Sequence, residues 1–160
     1  MIVGVIGGHE CSSEIAELSF QVGKIIAENS YILACGGLTG VMHHACKGAK
    51  SAGGTTIGIL PSTSKDDANP YVDIAIPTGI GLARNMIVVL AADVLVAVNG
   101  SYGTLSEIAY ALQFRKKVFG LRTEWHVSDD VEVLKDISAL GSKLRSICSS
   151  ARSSIRPDGL

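Results

Sequence analysis

The sequence predicts a single doubly wound α/β domain, in which a mainly parallel sheet carries helices on both faces. Short apolar strands alternate with segments of helical period along the whole chain. Of the 160 residues, 47% are hydrophobic and only 18% are charged, which suits a sheet that is buried on both faces. The length fits one domain, which we expect over residues 1–150, with residues 151–160 as a frayed C-terminal tail.

The first half of the chain contains two βα units and a third strand. Residues 2–6 form an apolar strand that ends at Gly7-Gly8, and residues 14–28 repeat apolar side chains at helical spacing. The pattern then predicts a strand over 31–35, a glycine turn, a helix over 41–52 and a strand over 55–60. Residues 61–70 are polar and contain two prolines, which indicates a surface loop.

The second half continues the alternation. The pattern predicts a short strand over 72–76, a helix over 79–92, a strand over 94–98, a helix over 104–115 and a strand over 118–121. Asp129 and Asp130 precede the last apolar segment. Because acidic side chains favour a helix N-terminus, they predict a final helix over 131–149.

Glycine-rich turns follow three of the predicted strands. In a parallel sheet, ligands bind beyond the carboxyl ends of the strands, so we expect these turns to converge on one crevice. A single turn of this kind is also explained by tight strand-to-helix geometry, and that alternative stays open. The glycines in question are Gly7, Gly8, Gly36, Gly37, Gly40, Gly100 and Gly103.

The third turn has the layout of a phosphate cradle. An apolar strand breaks at Asn99-Gly100 and reopens as a helix near Thr104. Glycine lets the backbone approach an anion closely, and the free N–H groups of a helix N-terminus attract negative charge. The predicted phosphate-binding residues of this turn are Gly100, Ser101, Tyr102, Gly103 and Thr104.

Arg84 and Glu107 are the candidate catalytic residues. Arg84 stands at the start of a predicted helix, where the dipole disfavours a cation, so an anion is expected to compensate it. If both side chains face the crevice, the guanidinium and the helix N-terminus lower the pKa of Glu107 and keep it ionised. Two structural alternatives remain: a capping box formed by Thr104 and Glu107, and an Arg–Glu pair with no function.

Several function classes are disfavoured. The formal net charge is −1 and no Lys/Arg block occurs, so no nucleic-acid partner is expected. No apolar run is long enough to predict a membrane span. Neither the dinucleotide fingerprint GxGxxG nor a Walker motif is present, which argues against NAD binding and ATP hydrolysis.

Cysteine and histidine spacing predicts reduced thiols and no metal site. The four cysteines, Cys11, Cys35, Cys46 and Cys148, form no CxxC pair, and we expect a cytoplasmic protein. His9, His43 and His44 lack the spacing of zinc ligands. A Cys–His nucleophile pair would require the first two glycine turns to meet.

These residues resemble the LONELY GUY (LOG) family of Rossmann-like proteins, over about residues 1–122. The family signature PGGxGTxxE is matched at Gly100, Gly103, Thr104 and Glu107, whereas its proline and second glycine are replaced. The segment Gly36-Gly37-x-x-Gly40-x-Met42 resembles the family's GGxxGxM turn, and Arg84 stands in the place of its catalytic arginine. The resemblance implies a Rossmann-like fold and a homodimer, with residues 79–92 as the expected interface.

Within this superfamily, Asn85 stands where cytokinin-activating members carry lysine, so the chain looks more like the molybdenum cofactor carrier-like branch. The branch implies a phosphorylated nucleotide-like or molybdopterin-type ligand, held without turnover by a carrier or sensor that requires no further cofactor. Residues 62–69 would then cover the ligand. An oligomeric scaffold with a vestigial site is a further alternative.

The resemblance to the cytokinin-activating members of the superfamily implies a different role. In that role the protein would be a nucleoside 5′-monophosphate phosphoribohydrolase, which releases a free base and ribose 5-phosphate. In that role Glu107 would stabilise the oxocarbenium-like sugar and orient water, and Arg84 would position Glu107 or clamp the substrate. The third turn would hold the 5′-phosphate, while Gly36, Gly37 and Gly40 shape the wall beside the base or sugar.

Overall fold

A computed structural model describes residues 1–123 and 129–153. The strands are β1 (Ile2–Gly7), β2 (Ile32–Cys35), β3 (Thr56–Leu60), β4 (Ile74–Pro77), β5 (Val94–Val98), β6 (Lys117–Leu121) and β7 (Val131–Val133). They form one sheet in the order β4-β3-β2-β1-β5-β6-β7. Every pairing between these strands is parallel, so the predicted α/β class with a parallel sheet is confirmed.

Within residues 1–123 and 129–153, five α-helices pack on the sheet. They are α1 (Ser13–Glu28), α2 (Val41–Ser51), α3 (Asn85–Ala91), α4 (Tyr102–Gln113) and α5 (Leu140–Ser153). Short 3-10 turns cover Lys65–Asp67, Gly81–Arg84 and Ile137–Ala139. Within the described residues, no helix has both the length and the apolar character that a membrane crossing requires.

Successive side chains of β5 alternate between two buried clusters, which shows that both faces of the sheet are covered. Val94, Val96 and Val98 belong to one buried cluster, which also contains residues of α1, α2 and α5. Leu95 and Ala97 belong to a second cluster, with residues of α3 and α4. Since successive strand residues point to opposite faces, a strand that is apolar throughout needs a helix layer on each side.

The strand order determines where a ligand site forms. From the centre at β1 the chain moves outward through β2 and β3 to β4, then returns to β5 on the opposite side of β1. Gly7 at the end of β1 pairs with Val98 at the end of β5. This is a topological switch point, beyond which parallel α/β sheets bind their ligands.

The predicted helix over 131–149 is wrong. Val131–Val133 instead forms β7, in which Val131 pairs with Val118 of β6, and the helix begins only at Leu140. Asp129 and Asp130 lie in a turn before the strand. The Val-Glu-Val alternation has the period of a strand, but three residues become one only by pairing with β6.

Other boundaries also differ from the prediction. The predicted helix over 79–92 is split into the 3-10 turn Gly81–Arg84 and α3, because Gly79 and Gly81 adopt positive φ. The helix expected from Thr104 begins at Tyr102. Part of the predicted tail, 151–153, is helical, and residues 154–160 lie outside the described residues.

Candidate functional site

The glycine turns after β1, β2 and β5 surround one cavity of about 40 Å³ at the carboxyl edge of the sheet. Arg84 and Glu107 line the same cavity. The turn residues that line it are Gly7, Gly8, Gly36, Ser101, Gly103 and Thr104. The structure therefore brings together side chains and turns that are far apart in sequence.

The first two turns meet through their backbones. Gly40 has a φ of +62°, and a Cβ at this position would collide with the carbonyl groups of Gly8 and His9. The N–H of Val41 donates a hydrogen bond to the Gly8 carbonyl at 3.0 Å, and the hydroxyl of Thr39 donates to the His9 carbonyl, also at 3.0 Å. Gly40 thus permits the contact that closes this side of the cavity.

The third turn places the N-terminus of α4 at the cavity. Gly100 has a φ of +117°, and a Cβ there would overlap the buried side chain of Thr104. Ser101 is the N-cap residue, and its side chain makes no capping hydrogen bond. A capping box of Thr104 and Glu107 is therefore excluded, because both residues lie inside the helix.

Arg84 is buried at the end of its 3-10 turn, with 3% of its surface exposed. Its guanidinium lies against the backbone of Gly36, where a Cβ would be 2.6 Å from the Arg84 Cζ. In the described part of the chain, its Nε has no hydrogen-bond partner. A buried guanidinium donor without an acceptor is costly, and an anion in the cavity would supply the acceptor.

Glu107 faces Arg84 but is not hydrogen-bonded to it. The Arg84 Nη1 and the Glu107 Oε1 are 4.0 Å apart, and Glu107 is 6% exposed. Burial raises the pKa of Glu107 to about 8, although the guanidinium of Arg84 lowers it. The expectation that Glu107 has a lowered pKa is wrong, because desolvation outweighs an ion pair at this separation.

Asn85 is a cavity residue that was not among the predicted site residues. It is 7% exposed, and its side-chain amide donates to the Gly103 carbonyl at 3.5 Å and to the Ser106 hydroxyl at 3.4 Å. Ser106 in turn donates to the Gly103 carbonyl at 2.6 Å. Asn85 therefore ties the residue after Arg84 to the first turn of α4, a contact that chain spacing does not reveal.

Four predicted ligand residues do not line the cavity. Gly37 packs on β3, where its Cβ would be 2.6 Å from Leu60 Cδ2. Tyr102 is 79% exposed. Gly40 and Gly100 shape the turns as described above.

The predicted cover, residues 62–69, lies beside the second turn and not over the cavity. The backbone N–H of Asn69 donates to the Gly37 carbonyl at 2.9 Å, and its side chain donates to the Leu38 carbonyl at 3.0 Å. None of the residues 62–69 lines the cavity. Among the residues described, no group of three or more His, Cys, Asp or Glu side chains is arranged to hold a metal ion.

The parallel sheet, its switch point and the cavity between the glycine turns define the chain as a Rossmann-like α/β protein with its candidate site at the centre of the sheet. It belongs to the SLOG cluster4 family, whose sequence model matches residues 1–146. The predicted membership of the LOG superfamily, in its molybdenum cofactor carrier-like branch, is confirmed.

Three similar proteins illustrate this placement. An uncharacterized protein of Archaeoglobus fulgidus is 48% identical over 122 residues, which are 76% of this chain and 80% of the relative. The molybdenum cofactor binding protein of Rippkaea orientalis superposes with a TM-score of 0.86 at 39% identity, covering 92% of this chain and 96% of its own. The molybdenum cofactor carrier protein of Chlamydomonas reinhardtii superposes with a TM-score of 0.83 at 38% identity, covering 92% and 98%.

Proposed function

We propose that this protein binds a phosphorylated ligand at the Arg84 cavity and holds it without turnover, as a carrier or sensor. The observation that carries this proposal is the buried guanidinium of Arg84, whose Nε lacks an acceptor within the described residues. It faces a cavity that the N-terminus of α4 also lines. A guanidinium and a helix N-terminus together form a strong phosphate site.

The size of the cavity limits what it holds. A volume of about 40 Å³ accommodates roughly three water molecules. This space suits a phosphate group, so the remainder of the ligand would lie at the mouth of the cavity. Two residues at the mouth, His9 and Leu82, are exposed.

The class of ligand that we propose is a pterin phosphate of the molybdopterin type. Two solved structures at 38–39% identity belong to proteins whose names describe molybdenum cofactor binding or carriage. In this chain, Arg84 and the first turn of α4 would hold the phosphate. When bound, the cofactor itself would supply the metal chemistry, and the protein would supply binding and shielding.

The protonation state of Glu107 supports a role in binding the ligand rather than in hydrolysing it. With a pKa of about 8, its carboxyl group is mostly neutral at pH 7. A neutral acid does not stabilise a cationic sugar, which is the role that the phosphoribohydrolase alternative requires of it. A phosphate placed beside Glu107 would raise this pKa further, since like charge disfavours the carboxylate.

The first experiment tests the alternative directly. The purified protein is incubated with a panel of nucleoside 5′-monophosphates, and free base and ribose 5-phosphate are detected by mass spectrometry, with Glu107→Gln as the control. We expect no release from any substrate. Release that the Glu107→Gln variant lacks would overturn the carrier proposal in favour of a glycosidic hydrolase.

A second experiment tests the ligand class. The protein is isolated from cells that synthesise molybdopterin, the extract is oxidised, and the fluorescent pterin is quantified per protein chain. We expect pterin with the native chain and little with Arg84→Met. Equal pterin in both samples would remove Arg84 from the proposed site.

We also propose that the protein forms a homodimer through α3 and α4. These helices pack against each other and carry exposed apolar side chains next to the cavity. Met86 and Leu90 of α3 and Tyr110 of α4 are exposed, as are Leu82 in the 3-10 turn before α3 and Phe114 directly after α4. An apolar surface of this kind on a protein with few charges favours a two-fold interface.

A further inference from the structure

A pair of buried thiols lies directly behind the candidate site. Cys35 ends β2 and Cys46 lies in α2, and their sulfur atoms are 3.5 Å apart. Both residues are completely buried. Sulfur atoms at this separation need to approach by about 1.5 Å to reach a disulfide bond length of about 2.05 Å.

The two thiols have different environments. The backbone N–H of Gly37 donates to the Cys35 sulfur at 3.3 Å. The hydrogen bond with Cys46 lowers the pKa of the Cys35 thiol, and the nearby guanidinium of Arg84 lowers it as well. The same hydrogen bond and burial raise the pKa of Cys46 far above its usual value. The Gly37 N–H and the positive charge of Arg84 both stabilise negative charge on the Cys35 sulfur, so Cys35 is the better placed of the two thiols to attack and Cys46 to resolve.

The second glycine turn lies between the two cysteines in the sequence. Gly36 of this turn lies against the guanidinium of Arg84. The Cys35 sulfur and an anion in the cavity would therefore both interact with the positive charge of Arg84. A change in the charge of this sulfur would be felt at the phosphate site.

We propose that Cys35 and Cys46 form a reversible oxidative modification site that responds to peroxide and tunes anion binding at Arg84. The Cys35 thiolate attacks one oxygen of hydrogen peroxide, which forms a sulfenic acid and, after protonation, releases one water. The Cys46 thiol then attacks the sulfenic sulfur, forms the disulfide and releases a second water. Two thiols are oxidised and one peroxide is reduced.

The regulatory part rests on the proposed function. Oxidation to the neutral disulfide removes the Cys35 thiol as a group that can ionise near Arg84, so phosphate no longer competes with a Cys35 thiolate for the guanidinium. We expect the oxidised protein to bind inorganic phosphate about three- to tenfold more tightly than the reduced protein. Because both thiols are buried, peroxide reaches them through local opening, and oxidation should take longer than that of an exposed thiol.

The test begins with a Cys11→Ser, Cys148→Ser variant, which retains only the buried pair. It is treated with hydrogen peroxide, unfolded, alkylated with N-ethylmaleimide and examined by intact mass and peptide mapping. We expect the loss of two hydrogen atoms, no alkylation, a Cys35–Cys46 crosslinked peptide and full reversal by dithiothreitol. Survival of both free thiols, or oxidation without the crosslink, would overturn the modification site.

Calorimetric titration with inorganic phosphate then compares the reduced and oxidised forms, with Cys46→Ala under the same treatment as the matched control. Tighter binding by the oxidised form, absent from the control, is the expected result. Equal affinity of both forms would overturn the regulatory step. Failure of phosphate to bind either form would contradict the proposed function, whereas the peptide map decides the disulfide independently.

Discussion

The guanidinium of Arg84 occupies the space in which a side chain at Gly36 would lie. A Cβ on Gly36 would be 2.6 Å from the Arg84 Cζ, well inside van der Waals contact. Arg84 is on the 3-10 turn before α3, whereas Gly36 directly follows β2. The end of one strand thereby sets the position of a charged group that comes nearly fifty residues later in the chain.

Gly36→Ala is expected to displace Arg84 and weaken phosphate binding. The added methyl group overlaps the guanidinium, so the arginine must leave its position over the backbone. We expect an affinity for inorganic phosphate reduced about tenfold or more, measured by calorimetry. Gly141→Ala in α5 is the matched control, because its Cβ would meet nothing closer than 3.4 Å. Unchanged affinity in Gly36→Ala would contradict the assigned role of this contact.

Arg84→Lys should lose most of the phosphate affinity although it keeps the charge. A lysine ammonium is a point charge on a flexible stem and does not reproduce the planar set of guanidinium donors. We expect a loss of about tenfold or more, again by phosphate titration, with circular dichroism as the check on folding. If Arg84→Lys binds as tightly as the native chain, charge alone would explain the site.

The raised pKa of Glu107 predicts that stability falls as pH rises. The folded protein holds the Glu107 proton up to a pKa of about 8, whereas the ordinary value is 4.5. Between these two values the native state binds more protons than the unfolded state, so the free energy of unfolding declines by up to about 1.4 kcal/mol per pH unit. This contribution is fully present below pH 4.5 and is lost as pH approaches 8.

Urea unfolding between about pH 5 and about pH 9 measures this effect, because this range begins just above the lower limit of the window and ends about one unit above its upper limit. Glu107→Gln mimics the neutral acid, and we expect it to flatten the decline and to be more stable than the native chain at the upper end. A native chain that grows more stable through this range would contradict the assignment, since it would indicate a carboxylate stabilised in the folded state.

Leu90→Glu should convert the proposed dimer into a monomer. Leu90 is 50% exposed on α3 and lies outside the residues that line the cavity, so the change adds a charge to the apolar surface without touching the site. Light scattering after size exclusion gives the mass of the species, with 16.7 kDa as the monomer value. Glu17→Leu on α1 is the control, because it changes the charge on a different surface. A native chain that is monomeric by light scattering would disprove the dimer.

Local sequence patterns were sufficient for most elements of the fold. The strands β1, β3, β5 and β6 are mostly apolar segments with glycine or polar residues at their ends. The apolar pattern and the flanking residues therefore predict the same strands. The same agreement holds for α1, whose apolar residues recur at helical spacing. By contrast β7 has only three residues, and its strand structure comes from pairing with β6.

The site was predictable in composition but not in its electrostatics. Arg84 and Glu107 were recognisable from unusual positions and from a family signature, and the structure places both at one cavity. No local pattern indicates that Asn85 lines the cavity, because its hydrogen bonds span 18 and 21 residues. The protonation of Glu107 cannot be predicted from its sequence neighbours, because desolvation depends on all the atoms packed around the carboxyl group.

The sequence by itself determined the alternation of strands and helices and the glycines that permit close backbone approach, because both follow from local conformational preference. Only the tertiary structure decided that β5 inserts beside β1, and therefore that the turns after β1, β2 and β5 share one cavity. It also decided that Arg84 and Glu107 are buried 4.0 Å apart and that two thiols lie behind them. These relationships depend on burial and on contacts between distant residues, which no local pattern encodes.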